Sequence, residues 1–405
     1  MIDALLHGDF GTVLRLLLGD GFWAEILIDI LGVLVVATFG LLIVIFLIWL
    51  ERKVIARMQD RIGPNRVGKF GLLQTIADIV KLLIKESFEP FGADKLAYNV
   101  APVLAVMAAV LMWAIVPFAP TLIGADLNIG LFFFLAVSSA SVVVILLAGW
   151  GSNNKYALLG AFRAVAQLVS YEVPMVISLL VPILLARSMS TVDIINAQTA
   201  PFMLVIPLSA LIFFVSALAE TGRTPFDLLE AESEIVAGFH VEYSGMKFGM
   251  FFLAEFMSTL FMSCLFATVY WCGWNVPLLT AALSWFNIDF QLANIVLGSY
   301  IGLIVFFIKM FAVYFVFIWI RATWPRVRVD QILDLNWKFL VPLSLVMILV
   351  VAVLDKFELG AYRWAAHLLS HLVIIGVTAV VLQRRGRAAR VAAESIPKSE
   401  LITQS

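Results

Sequence analysis

The sequence is poor in charge and nearly free of sulfur chemistry. Only 14% of its 405 residues are Asp, Glu, Lys or Arg, against 62% hydrophobic, a balance that excludes a water-soluble fold burying its apolar side chains. Composition also sets aside nucleic-acid binding and a secreted disulfide scaffold. The two cysteines, Cys264 and Cys272, are too few for an iron–sulfur cluster and lack zinc-site spacing, so they read as small buried hydrophobes. There is no Walker motif, no strand-borne GxGxxG and no CxxC pair, so neither a nucleotide, a metal nor a cluster site is legible in this chain. His367 and His371 stand one turn apart in a single apolar run. A bis-histidine haem draws its ligands from two facing helices, so this pair reads as packing or interfacial.

What is present is a series of long apolar runs. Each can cross a hydrocarbon core of roughly 30 Å as a helix, and none has the alternation of barrel strands. The expected fold is all-α: a polytopic membrane protein with about nine spans, near 26–50, 98–121, 131–150, 162–186, 202–219, 249–274, 294–320, 338–355 and 364–382. Residues 1–382 form one transmembrane domain and 383–405 a polar tail. The first strong run ends at Leu50 without a small-residue cleavage site, so it reads as a retained helix.

Segments 51–97, 151–163, 220–248, 321–338 and 383–405 carry 22 of the 27 basic residues. The positive-inside bias puts them in the cytoplasm, with the amino terminus outside and the carboxyl terminus inside. Within the first segment, residues 71–86 place Gln74, Asp78, Lys81 and Lys85 on one stripe, which predicts an amphipathic helix lying in the membrane interface.

Ionisable groups inside spans are costly and need a reason. Glu172, Glu255 and Lys309 lie about 15, 10 and 18 Å from the cytoplasmic face at helical rise. Lys309 should therefore have a carboxylate partner, with Glu172 or Glu255 nearest in depth. Pro174 weakens the helix beside Glu172 and frees a carbonyl for water or another polar group. The third cytoplasmic segment crowds Glu220, Asp227, Glu230, Glu232, Glu234 and Glu242 against Arg223 and Lys247. Crowded carboxylates raise one another's pKa, which suits a proton relay or an electrostatic trigger. A buried Glu–Lys lock and a solvated acidic loop are the structural alternatives.

Four blocks then carry a resemblance: residues 51–68 (ERKVIARMQDRIGPNRVG) with the following GLLQTIADIVKLLIKE, 149–172 (GWGSNNKYALLGAFRAVAQLVSYE), 219–255 (from AETGRTPFDLLEAESEIVAGFHVEYSG to AEF) and 319–338 (WIRATWPRVRVDQILDLNWK). With them the chain resembles the quinone-site membrane subunit of NADH:quinone oxidoreductase, respiratory complex I. The resemblance implies a chamber for quinone, the substrate, at the junction with a peripheral arm whose terminal iron–sulfur cluster supplies electrons. No redox centre is implied on this chain; FMN and the iron–sulfur clusters would sit in partner subunits. Arg52, Arg61 and Asp78 would border the quinone entrance, with Arg223 and Phe226 nearby. Glu220, Glu230, Glu232, Glu234, Glu255 and Glu172, with Lys309, would couple quinone reduction to proton movement.

Partners implied are the quinone-site subunits of the peripheral arm, neighbouring membrane-arm subunits, quinone and lipid, and no nucleic acid. The ninth span and polar tail favour a bacterial cytoplasmic membrane. Gly222 stands where the family usually has Asn, and Phe256 where Tyr is common; neither removes an ionisable group. The competing readings are the homologous subunit of an ion-translocating membrane hydrogenase, separable by its neighbouring genes, and a stand-alone secondary transporter, which would be expected to show paired broken helices.

Overall fold

A computed structural model of the chain describes residues 10–18, 21–228, 237–277, 300–357 and 360–394. In chain order the helices are α1 (Phe10–Leu18), α2 (Phe22–Met58), α3 (Gln74–Ile84), α4 (Lys95–Met112), α5 (Gly130–Gly151), α6 (Lys155–Ala186), α7 (Thr191–Ala197), α8 (Phe202–Val205), α9 (Pro207–Glu220), α10 (Gly245–Tyr270), α11 (Tyr300–Thr323), α12 (Val329–Leu335), α13 (Val341–Lys356) and α14 (Arg363–Glu394). The strands β1 (Pro117–Ala119) and β2 (Leu122–Ile123) form one antiparallel hairpin between α4 and α5.

Among the described residues eight helices are long and apolar enough to cross a membrane, counting α12 and α13 as one helix joined by a π-turn at Asn336–Leu340. The all-α polytopic reading therefore holds. The expected span at 202–219 is instead broken into α8 and α9. Pro207 cannot donate to Met203, and it pushes Ile206 out of the helical region, to φ −125° and ψ 60°. Several boundaries also move. Residues 51–58 continue α2, all but the first few residues of 151–163 belong to α6, and the start of the tail expected at 383 is still α14. The amphipathic helix is shorter than 71–86, starting only after a 3-10 turn at Lys69–Gly71.

Four of the five basic segments, all but the tail, meet at one end of the bundle. Arg52 pairs with Asp78, Lys247 with Glu89, Asn154 donates to Glu242, and Val327 N–H donates to Pro225 C=O. The Lys247 ammonium, hydrogen-bonded to Glu89, holds that carboxyl below its usual value. At the opposite end Arg363 joins Asp355 to the Leu185 carbonyl.

Small residues let the helices approach closely, as van der Waals packing in lipid requires. Ala148, Ala157, Ala161 and Ala164 are fully buried, and a Cβ on Gly149 would lie 2.4 Å from that of Ala161. The apolar core runs through α2, α6, α9, α10 and α11, with a second cluster among α4, α5, α6 and α10.

Three prolines inside helices each free the carbonyl four residues back, and a side chain from elsewhere fills every one. Pro102 frees Tyr98 C=O, which accepts the Tyr243 hydroxyl at 3.2 Å. Pro182 frees Ser178 C=O, taken by the hydroxyls of Ser209 and Tyr270 at 2.9 and 3.0 Å. Pro174 frees Ser170 C=O, which accepts Asn336 Nδ2 at 2.6 Å from the π-turn, so the polar group expected there is Asn336. Asn336→Leu should orphan that buried carbonyl and cost about 1–3 kcal/mol, read as an earlier thermal unfolding in detergent; an unchanged midpoint would show that the link bears no stability.

Candidate functional site

Two consecutive residues near the end of α2 organise the basic end of the bundle. Successive helix positions are turned by about 100°, so Glu51 and Arg52 face different neighbours. Glu51, only 4% exposed, turns inward and accepts Arg223 Nη1 at 2.7 Å, the Tyr314 hydroxyl at 3.2 Å and Arg321 Nη1. Arg223 in turn places Nε 3.1 Å from Glu255 Oε1, and its guanidinium sits 4.5 Å from the Phe256 ring centroid. Two carboxylates thus face two guanidiniums, bringing together α2, the loop after α9, α10 and α11. Mutual pairing with hydrogen bonds is what makes such charges tolerable away from water.

Arg52 turns outward, and its Nη1 lies 2.5 Å from Asp78 Oδ2 on α3, while Gln74 Nε2 donates to Asp78 Oδ1 at 3.3 Å. The turn leading into α3 is pinned to α2 by Trp49 Nε1, which donates to Phe70 C=O at 3.1 Å. Gly71 closes that turn at φ +76°, where a Cβ would come within 2.2 Å of the Pro64 oxygen. The Gly-Pro-Asn block is thereby folded back beside Arg52. Arg61 remains exposed, its Nε donating to Gln59 Oε1, and is not brought into the Arg52–Asp78 pair.

Arg223 and Phe226 are placed differently from a pair on an open rim. Within this chain they are 4% and 5% exposed. The Phe226 ring packs 5.3 Å from Tyr171, and Gln167 Nε2 donates to both Ala219 C=O and Phe226 C=O at 2.7 Å. Loop position alone hid this, because the anchor, Gln167, lies in the middle of a span.

Behind the quartet lies a cavity of about 130 Å³ between α4, α5 and α10, largely apolar, with Glu220, Glu255 and His240 and several hydroxyl side chains in its wall. That volume admits several waters. Glu220, the last residue of α9, keeps Oε2 buried without a protein hydrogen bond, and Glu172 on α6 is its electrostatic neighbour. Glu255 therefore belongs to both the ion quartet and the cavity wall. Glu230, Glu232 and Glu234 lie outside the described residues; Glu242 accepts Asn154 Nδ2 at 2.6 Å on Oε1.

Lys309 is buried, but not against a carboxylate. Its ammonium donates to the carbonyls of Trp271, Gly273 and Asn275 at 2.8, 2.8 and 2.5 Å. The expected pairing with Glu172 or Glu255 is replaced by the carbonyls of Trp271, which caps α10, and of Gly273 and Asn275 in the turn that follows. His367 and His371 are both fully buried on α14, and no group of three metal-ligating side chains occurs among the described residues.

The sequence reading missed Glu51, Tyr314 and Arg321. Glu51 was visible as the acid next to Arg52, but its inward turn follows from α2 continuing past Leu50 to Met58. Tyr314 and Arg321 sit one and three turns beyond Lys309 on α11, a polar stripe that could have been found in an otherwise apolar helix.

The profile of the NADH dehydrogenase family matches residues 31–352. The chain is 47% identical over 333 residues to the H subunit of NADH-quinone oxidoreductase from Dehalococcoides mccartyi strain CBDB1, covering 82% of this chain and 87% of that one. It is 45% identical over 363 residues to the H subunit from strain ATCC BAA-2266 of the same species, covering 89% and 93%. It is also 47% identical over 323 residues to that of Geobacillus kaustophilus, covering 79% and 90%. With its four motif blocks, its all-α membrane fold and relatives matched over most of their length, the chain belongs to the NADH dehydrogenase family, among the H subunits of NADH-quinone oxidoreductase.

Proposed function

We propose that the chain walls the quinone chamber of a proton-pumping NADH:quinone oxidoreductase and converts quinone reduction into proton movement through its buried acids. The observation that carries this reading is the Glu51–Arg52 dipeptide. Arg52 holds Asp78 at an exposed rim, while Glu51 begins a buried series through Arg223 to Glu255, the cavity and Glu220. A charge change at the rim side is thereby adjacent to groups that can take up or release protons in a low-dielectric space with room for several waters. Glu172 and the acids at 230, 232 and 234 extend the same series in sequence, and Arg61 adds charge to the rim.

Several features support the surroundings of this role. The apolar side chains Ile76, Val80, Leu83 and Ile84 of α3 are exposed, as on a helix lying at a lipid boundary. The basic end of the bundle is the cytoplasmic end by charge bias, which puts the carboxyl terminus inside, and in this reading the membrane is a bacterial cytoplasmic membrane. There it meets the quinone-site subunits of the peripheral arm, and FMN and the iron–sulfur clusters sit in partner subunits. Neighbouring membrane-arm subunits receive the coupling signal.

Asp78→Ala tests the reading. It removes the partner of Arg52 at the rim and touches no electron carrier. Quinone reductase activity of the assembled complex should fall several-fold, while NADH oxidation by an artificial acceptor is retained. Equal loss of both activities would indicate failed assembly, and an unchanged quinone rate would overturn the placement of the entrance.

A further inference from the structure

Lys309 has a geometry that the acidic series does not explain. After Tyr270 the chain leaves α10 through Cys272 at φ +59° and Gly273 at φ +48°, and three carbonyls from successive alternate residues converge on one nitrogen. Gln198 completes the arrangement: its Nε2 donates to Thr268 C=O at 3.0 Å and its Oε1 accepts Cys272 N–H at 2.9 Å. An ammonium has three N–H donors and no acceptor, so three carbonyls match the charged form. A neutral amine would leave one carbonyl empty and aim a lone pair at oxygen. Among the described residues, the titratable group beside the ammonium is the Cys272 thiol, and no carboxylate is within salt-bridge reach to exchange a proton with it.

The same helix also reaches the ion quartet. Tyr314 and Arg321, both on α11, bond Glu51 about 8 and 18 Å along the axis from Lys309. α11 therefore grips the far end of α10 with one residue and the quartet containing Glu255 with two others. Glu255 is about 22 Å back along α10 from the clamped end.

We propose that Lys309 is a positioning residue: a charged clamp on the turn that closes α10, which fixes that helix, and with it Glu255, against Arg223, and that lies off the route taken by protons. The kinetic consequence rests on the proposed coupling role of Glu255, whereas the clamp itself does not.

The test uses the intact complex in sealed membrane vesicles, carrying Lys309→Met or Lys309→Arg. Lys309→Met should lower quinone reductase activity per assembled complex several-fold, yet leave the number of protons moved per electron at the parental value. Lys309→Arg keeps the charge and the donors, and should recover most of the rate. A parental rate in Lys309→Met, a lowered proton-to-electron ratio, or an Arg variant no better than Met would each overturn the proposal. Should Lys309→Met fail to assemble, the Arg variant decides: assembly at the parental ratio supports the clamp, and failure to assemble contradicts it. An unchanged quinone rate in Asp78→Ala would remove the proposed function without touching a difference between Arg and Met at position 309.

Discussion

Glu220→Gln should lower the quinone reductase rate and proton pumping together, by on the order of a hundredfold or more, with the complex still assembled. The substitution keeps the shape of a side chain that ends α9 and lines the cavity, and removes its ability to hold a proton. One carboxylate oxygen of Glu220 has no protein hydrogen bond, so little packing or pairing is lost with the charge. A defect therefore reports protonation. In a tightly coupled machine the blocked proton step also blocks turnover, so both readouts drop in parallel. Full turnover with full pumping, measured in sealed vesicles, would reduce this carboxylate to a structural member of the cavity wall.

Glu51→Gln should act on stability first. It leaves Arg223 to Glu255 alone and deprives Arg321 of its partner in the quartet. Removing one member of a buried pair costs about 3–5 kcal/mol when the remaining charge cannot reach water; Arg321 keeps 28% of its side chain exposed, so the loss belongs near the lower end. The expected result is less assembled complex and a lower midpoint of thermal inactivation. Combining it with Arg321→Gln removes the stranded charge and should return part of the loss. A double variant no better than the sum of the two singles would show that the two residues are not coupled.

The spans and their alternation were legible because a lipid core demands long apolar helices and charge bias sorts their ends. What was hidden followed from local breaks in that pattern. Pro207 split a span whose hydropathy was continuous. Pro174 advertised a freed carbonyl, but only the π-turn at 336–340 shows that Asn336 fills it. Among the site residues, Arg52 and Asp78 were named together by family likeness, and the structure joins them in an ion pair. The apolar residues of the third basic segment, Phe226 among them, pointed to partial burial, but the burial of Arg223 was not legible, because its anchor, Glu51, lies 172 residues away. Lys309 was misjudged for a physical reason: a buried cation calls for negative charge, and charge counting along a sequence finds carboxylates but cannot see three backbone carbonyls of one turn converging on it.

The most direct measurement is photo-crosslinking of the intact complex with a long-tailed photoreactive quinone, followed by mass spectrometry of the labelled peptides. Label within residues 51–86 of this chain, displaced by unmodified quinone and weakened by Asp78→Ala, is the result predicted. Label confined to other subunits, or label here that excess quinone fails to displace, would contradict a quinone path running along α2 and α3.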